Sequence, residues 1–333
     1  MPINPQAKLV ANVTDKSGLE MKPTRDGYGT GLVKAGEKDP RVVVLCADLA
    51  ESTRSQWFRD KFPERYIELG VAEQNMATVA AGLANYGKIP FISSYAAFSP
   101  GRNNEQIRTT IALNNVPVKI AGAHAGVSVG PDGATHQALE DVALMSVIPR
   151  MTVLVPCDAV EAEKATIAAA EHPGPVYLRF GREKSPVFTT AETPFAIGKA
   201  VLLREGKDAA IIACGMLVYR ALMAAEELAK EGIEVAVLNS PSVKPLDADA
   251  ILNVARETGA VVTVEEHQVH GGLGGAVAEL LARAYPVPME FVGAQDRFGE
   301  SGEPDELIEV FGMGTPAISA AVRLVMTRKI APR

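Results

Sequence analysis

YIELGVAEQN, residues 66–75, decides how the rest of this chain is read. A short apolar run meets a glycine, and a helical pattern starts. That pattern continues as VAEQNMATVAAGLANYG (71–87) and closes at Gly87. One residue is out of keeping. Glu73 puts a carboxylate at the mouth of an apolar strand–turn–helix, where burial without a partner is costly.

Working outward, RVVVLCADL (41–49), IPFISSY (89–95), VPVKIAGA (116–123), MTVLVPC (151–157) and GPVYLRF (174–180) read as strands. Between them NNEQIRTTIALNN (103–115), ALEDVALMSVI (138–148) and DAVEAEKATIAAAEH (158–172) read as helices, the last with Asp158 as N-cap. Continuous Val, Ile and Leu runs alternating with helices predict parallel strands covered on both faces. GREKSPVFTTAETPFAIG (181–198) breaks the pattern. It is polar, holds Pro186 and Pro194, and reads as an interdomain linker. The α/β alternation then restarts at DAAIIAC (208–214) and runs to TPAISAAVRLVMTRK (315–329). Two α/β domains are expected, at 20–185 and 195–330.

Composition narrows the function. With 333 residues, 47% hydrophobic and 22% charged, the chain is expected to fold rather than remain disordered. A formal charge of −7 does not suit non-specific binding to nucleic acid or an anionic membrane. The N-terminus lacks a basic stretch followed by an apolar one, and no uninterrupted apolar run reaches the roughly 20 residues that span a bilayer. Cys46, Cys157 and Cys214 are odd in number and have no metal-ligand spacing. They read as reduced, buried thiols of a cytoplasmic protein.

Two glycine-rich stretches look like phosphate cradles. RDGYGTG (25–31) follows residues that are polar and irregular, so no strand is expected before it. HGGLGGA (270–276) follows a strand and opens a helix, but its spacing is not G-x-G-x-x-G. Tight packing of a helix on a sheet is the better reading there.

The chemistry gathers elsewhere. CADLAEST, ELGVAEQN, SSYAAF, HAGVSVGPDGATHQ and YLRFGREKSP each lie just after a strand, where open parallel sheets hold ligands. They offer Glu73, the aromatics Tyr95 and Phe98, and a glycine-rich loop with His124, Asp132 and His136. Ser52, Arg179 and Arg182 add groups suited to phosphate. A flat heteroaromatic partner for Glu73, stacked on the aromatics, fits this set.

GVAEQNM, SSYAAFSPGR and GPDGATHQALED closely resemble the pyrimidine-binding half of transketolase. The likeness runs from about residue 20 through VYLRFGREKSP into the second domain. It implies a fold of class α/β in two domains: a parallel-sheet domain that binds the pyrimidine of thiamine diphosphate, and a smaller α/β transketolase C-terminal domain. It implies thiamine diphosphate as cofactor. Glu73 matches the glutamate that hydrogen-bonds N1′ of the aminopyrimidine and favours its imino tautomer. Tyr95 and Phe98 match aromatics that pack on that ring, while the family's further aromatic falls on Gly101. Asp48 matches an aspartate lining the cofactor cleft. His124 matches a histidine at the sugar-phosphate end. Asp132 matches an aspartate reading a donor hydroxyl, and His136 a histidine near the reacting oxygens. Arg25, Ser52 and Arg182 match phosphate contacts, with Arg179 the competitor for the last of these.

The family's diphosphate and Mg²⁺ signature, G-D-G followed downstream by Asn, is missing; RDGYGTG has Arg in place of the first Gly. The resemblance therefore implies the C-terminal subunit of a split transketolase, with Mg²⁺ ligands on a separate N-terminal subunit. It would be inactive alone and complete its site in a two-fold α₂β₂ assembly. The expected reaction is transfer of a two-carbon ketol unit between sugar phosphates, as in the pentose phosphate pathway. Three alternatives stand beside it. The β subunit of a 2-oxo acid dehydrogenase E1 component shares the layout, but its loop is closer to G-x-x-H-S-Q. A 1-deoxyxylulose-phosphate-synthase-like enzyme normally carries its own diphosphate half. A non-catalytic partner or scaffold subunit would keep only the fold.

Overall fold

The computed structural model describes residues 3–329; the expected domain end at residue 330 lies outside them. The first domain contributes β1 (Met21–Pro23), β2 (Val42–Cys46), β3 (Tyr66–Glu68), β4 (Ile89–Tyr95), β5 (Lys119–Ala123), β6 (Thr152–Leu154), β7 (Val176–Arg179) and β8 (Lys184–Pro186). The second contributes β9 (Val201–Arg204), β10 (Ala209–Ala213), β11 (Val235–Asn239), β12 (Ser242–Lys244), β13 (Val261–Gln268) and β14 (Met289–Ala294).

Every residue of β2, β5 and β7 is buried, as continuous apolar runs between helical layers require. The first sheet has the order β12-β6-β7-β5-β4-β2-β3 and is parallel except for β12. Its register sets up the site. Cys46 lies beside Ser93, Tyr95 beside Ala123, and Gly122 beside Arg179. The residues after β2, β4, β5 and β7 therefore emerge along one edge.

The second sheet has the order β14-β13-β10-β11-β9, with β9 antiparallel. The two domains are not separate in space. β12 belongs to the second domain by sequence, yet it closes the edge of the first sheet against β6. One apolar core runs from Met76 and Ile92 of the first domain to Ile251 and Val277 of the second. In the second domain, the apolar stretches of Pro304–Thr327 are interrupted by Asp305, Glu306, Glu309 and Arg323, and Gly312 at φ +67° divides it into helices Pro304–Val310 and Thr315–Thr327.

Two readings change. Residues 181–198 are no loose linker. β8 pairs antiparallel with β1, and Phe188 is fully buried. The Asp158 carboxylate accepts hydrogen bonds from the backbone N–H of Phe188 at 2.9 Å and of Thr189 at 2.7 Å. Thr189 Oγ1 adds a third bond, to Asp158 Oδ1 at 2.7 Å. Likewise, residues 25–31 follow β1 and lie inside the helix Thr24–Lys38. A Cβ on Gly27 would stand 1.9 Å from the Ala159 carbonyl oxygen, and one on Gly31 2.6 Å from Thr166 Cβ. Those glycines let this helix press against Ala159–Glu171. At 270–276 the start of helix Leu273–Ala284 is already filled: the Glu265 carboxylate accepts from Leu273 N and Gly274 N, each at 2.8 Å.

Candidate active site

Helix Glu73–Asn85 begins directly after the Gly70 turn, where φ is +65°. Glu73 is its first residue and is 1% exposed. Its Oε2 accepts from Arg102 Nη1 at 2.6 Å, and its Oε1 is buried with no partner. Asn103, fully buried, donates from Nδ2 to the Glu73 carbonyl and to Ser99 Oγ, each at 3.1 Å. The segment after β4 is thereby pinned to the helix start.

β4 ends in Tyr95, and the turn after it presents Phe98 with the two rings 6.0 Å apart and nearly parallel. Tyr95 stacks on His124 with centroids 3.9 Å apart. His136 meets Tyr95 and Phe98 edge-on, at 6.2 and 5.4 Å. His124 follows β5 at φ +55°, in the left-handed region that costs a non-glycine residue strain. Asp48, after β2, sits at φ +60°.

His124 is 2% exposed. Burial first, then the charges of Arg25, Arg182 and Arg54, pull its pKa down to about 3. At neutral pH it is an uncharged imidazole whose Nδ1 is buried without a partner. Arg25 Nη1 approaches His124 Nε2 at 3.4 Å and donates to the Ser52 carbonyl at 2.9 Å. Burial and the neighbouring Arg54 lower Arg25 from its ordinary value. Gly181 N donates to Thr24 Oγ1 at 2.8 Å, which seats the start of the Arg25 helix beside Arg182. Arg182 Nη1 donates to the Val129 carbonyl at 2.9 Å and reaches Asp132 Oδ1 at 3.4 Å. Guanidinium groups around a neutral imidazole leave a positive field suited to an anionic group.

The fold brings Glu73, Tyr95, Phe98, His124, His136, Arg25, Asp132 and Arg182 along one edge. Ser52 offers its carbonyl, not its hydroxyl, to Arg25. Asp48 is exposed; its N–H donates to Glu68 Oε1 at 2.8 Å, and among the described residues no hydrogen bond or ion pair joins its carboxylate to the others. Arg179 is spent elsewhere. It is buried, donating to Asp141 Oδ2 at 2.9 Å and the Glu266 carbonyl at 2.7 Å. Among the described residues no group of three or more His, Cys, Asp or Glu side chains is arranged to hold a metal ion.

Three residues were missed by the sequence reading. Arg102 stands in the quoted SPGR but received no role. Arg54, paired with Asp26 at 2.7 Å, adds to the positive field. Gln137 Nε2 donates to the carbonyls of Val127, Gly130 and Glu300, bracing the histidine loop against the second domain. Its place in GPDGATHQ was the only signal.

These residues fit an aminopyrimidine. A buried carboxylate oxygen lacks a partner, and Arg102 links that carboxylate to Phe98, with its Cζ 4.6 Å from the ring centroid and Tyr95 stacked beyond. Comparison with known proteins agrees on the class: a model of the transketolase pyrimidine binding domain matches residues 20–187, and one of the transketolase C-terminal domain matches 198–318. The 6-deoxy-6-sulfo-D-fructose transketolase subunit SqwH of Clostridium sp. (strain MSTE9) is 44% identical over 93% of this chain and 97% of that protein. Human transketolase is 38% identical over 92% of this chain but only 49% of its own length. A solved split gene transketolase, described as an inactive beta4 tetramer, superposes with a TM-score of 0.87 at 46% identity, covering 92% of this chain and 99% of that one. The chain belongs to the transketolase family, with the extent of the C-terminal subunit of a split transketolase, and that family implies dependence on thiamine diphosphate.

Proposed function

We propose that this chain joins a separate N-terminal subunit, probed as a two-fold α₂β₂ assembly, to transfer two-carbon ketol units between sugar phosphates. The observation that carries the reading is the buried, unpartnered Oε1 of Glu73 beside Tyr95 and Phe98, with guanidinium groups at the far end of the same edge. Glu73 would hold the cofactor's aminopyrimidine, and the two aromatics would pack on that ring. Thiamine diphosphate, when bound, supplies the nucleophilic carbon that carries the ketol unit. Its diphosphate and Mg²⁺ would be held by the N-terminal subunit.

The remaining roles follow from charge and reach. Neutral His124 and half-buried His136 would hydrogen-bond the sugar's oxygens, His124 as an uncharged imidazole that orients rather than titrates. Arg25 and Arg182 would grip the anionic end, with Ser52 beside them, and Asp132 would read a sugar hydroxyl. A sulfonate, as named for the Clostridium relative, suits the same positive field. Asp48 is kept as a cleft-lining residue acting through solvent. Three free, buried cysteines support a cytoplasmic setting.

The test is reconstitution. The chain is mixed with its N-terminal subunit, thiamine diphosphate and Mg²⁺, and ketol transfer from xylulose 5-phosphate to ribose 5-phosphate is followed. Activity is expected only in the mixture, and Glu73→Ala should lower it about 100-fold or more. A complex that binds cofactor but turns over only 2-oxo acids would favour the dehydrogenase alternative. Absence of both complex and cofactor binding would favour the scaffold.

A further inference from the structure

We infer that Arg102 is a displaceable occupant of the pyrimidine cleft: its guanidinium, held on Glu73 Oε2, covers the Phe98 ring face that a bound aminopyrimidine requires. This rests on the reading of Glu73, Tyr95 and Phe98 as that cleft. Arg102 Nη1 is 2.6 Å from Glu73 Oε2, and its Cζ lies 4.6 Å from the centroid of Phe98. A guanidinium is flat, cationic and carries N–H donors on one planar carbon. It presents to a carboxylate and an aromatic face much of what a protonated or imino aminopyrimidine presents. Glu73 Oε1 stays open, but the face of Phe98 cannot hold the guanidinium and the aminopyrimidine at once.

The two partners are unequal. The Glu73 side chain is 1% exposed and that of Arg102 is 46% exposed. Glu73 is fixed as a helix-start residue, whereas the half-exposed Arg102 side chain can turn into water; the cost falls on the buried Glu73 carboxylate and is offset only when the ring pairs with it. Asn103 makes this rotation local. Buried and bonded to the Glu73 carbonyl and Ser99 Oγ, it holds the backbone while the neighbouring side chain moves. Arg102 therefore lowers the apparent affinity for cofactor by the fraction of time it sits in the cleft. It keeps the Glu73 carboxylate paired until the planar ring replaces it.

Cofactor affinity tests this directly. Thiamine diphosphate with Mg²⁺ is titrated calorimetrically into the reconstituted complex of wild type, Arg102→Ala, Arg102→Lys and Glu73→Gln. Arg102→Ala should tighten binding roughly 5-fold at low salt, and the gap to wild type should close as salt screens the ion pair. Arg102→Lys keeps the charge but loses the flat face, and should fall between them. This second variant serves if the alanine variant does not fold. Unchanged or weaker binding in the Arg102 variants, with weaker binding in Glu73→Gln, would overturn the inference and make Arg102 a support for the site. Affinity unaffected by Glu73→Gln, or no binding by any form, would overturn the cleft reading itself and the inference with it.

Discussion

Glu73 and Glu265 are both buried carboxylates that meet the start of a helix, one in each domain: Glu73 as the first residue of its helix, Glu265 from within β13. They differ in what is left undone. Both oxygens of Glu265 accept from backbone N–H groups at the start of Leu273–Ala284. Glu73 has one oxygen on a half-exposed arginine and the other on nothing. The buried histidines repeat the contrast. His267 Nδ1 donates to the Gln268 carbonyl at 2.7 Å and Nε2 accepts from Ala143 N at 3.3 Å. His124 keeps Nδ1 unpartnered. Burial does not mark the site, since all four groups are buried. Within these two pairs an unmet hydrogen bond separates the cleft residue from the finished one, although the same is true of Asp141 Oδ1 and Asn239 Oδ1, so it counts only beside the aromatic rings and guanidinium groups.

The largest effect should come from Glu73→Gln, which keeps shape and burial. In the reconstituted enzyme it should cost about 100-fold or more in kcat/KM while moving stability by no more than about 1 kcal/mol. Steady-state kinetics beside a denaturant melt would break the comparison if stability fell and activity stayed. Glu265→Ala should do the reverse. It strips the partner from two buried N–H groups, so unfolding free energy should drop by about 2–3 kcal/mol. At temperatures where the variant is folded, cofactor affinity should stay within about 2-fold of wild type. A variant as stable as wild type would show that water replaces the carboxylate and that the second domain's site is less finished than it looks.

How much of this the sequence could reveal follows the same division. Strands such as β2 and β5 were legible because unbroken burial needs unbroken apolar runs. Helix Thr24–Lys38 was not, because its glycines serve contact with another helix and dilute the apolar period. β12 was hidden because its pairing partner, β6, lies far away in sequence. Residues 181–198 connect the domains as a linker would, but their pinning by Asp158 was not legible, because backbone N–H groups leave no mark in the sequence. The site was legible where its residues follow strands: Glu73, Tyr95, His124 and the loop to His136. Arg102 was quoted and passed over, since its partner is 29 residues away and only folding joins them. Arg179 and Arg182 were three residues apart with equal chemistry; only the buried Asp141 decides which is spent.

The smallest effect sharpens the histidine contrast and has a definite sign. The folded chain holds His124 near pKa 3, chiefly through burial and then through Arg25, while an unfolded histidine titrates near its ordinary 6.5. Between those values the unfolded chain binds a proton that the folded chain refuses. Unfolding free energy is therefore complete above about pH 6.5 and falls as the pH drops toward 3. Many carboxylates also titrate in that range, so wild type alone is uninformative. The difference between wild type and His124→Asn cancels them, because asparagine binds no proton. That difference should shift against wild type by about 1.5 kcal/mol between pH 6.5 and pH 5, read from denaturant melts at each pH. A flat wild-type-minus-His124→Asn difference would mean that His124 takes up its proton in the folded state, where it would enter the anion end as a cation alongside Arg25.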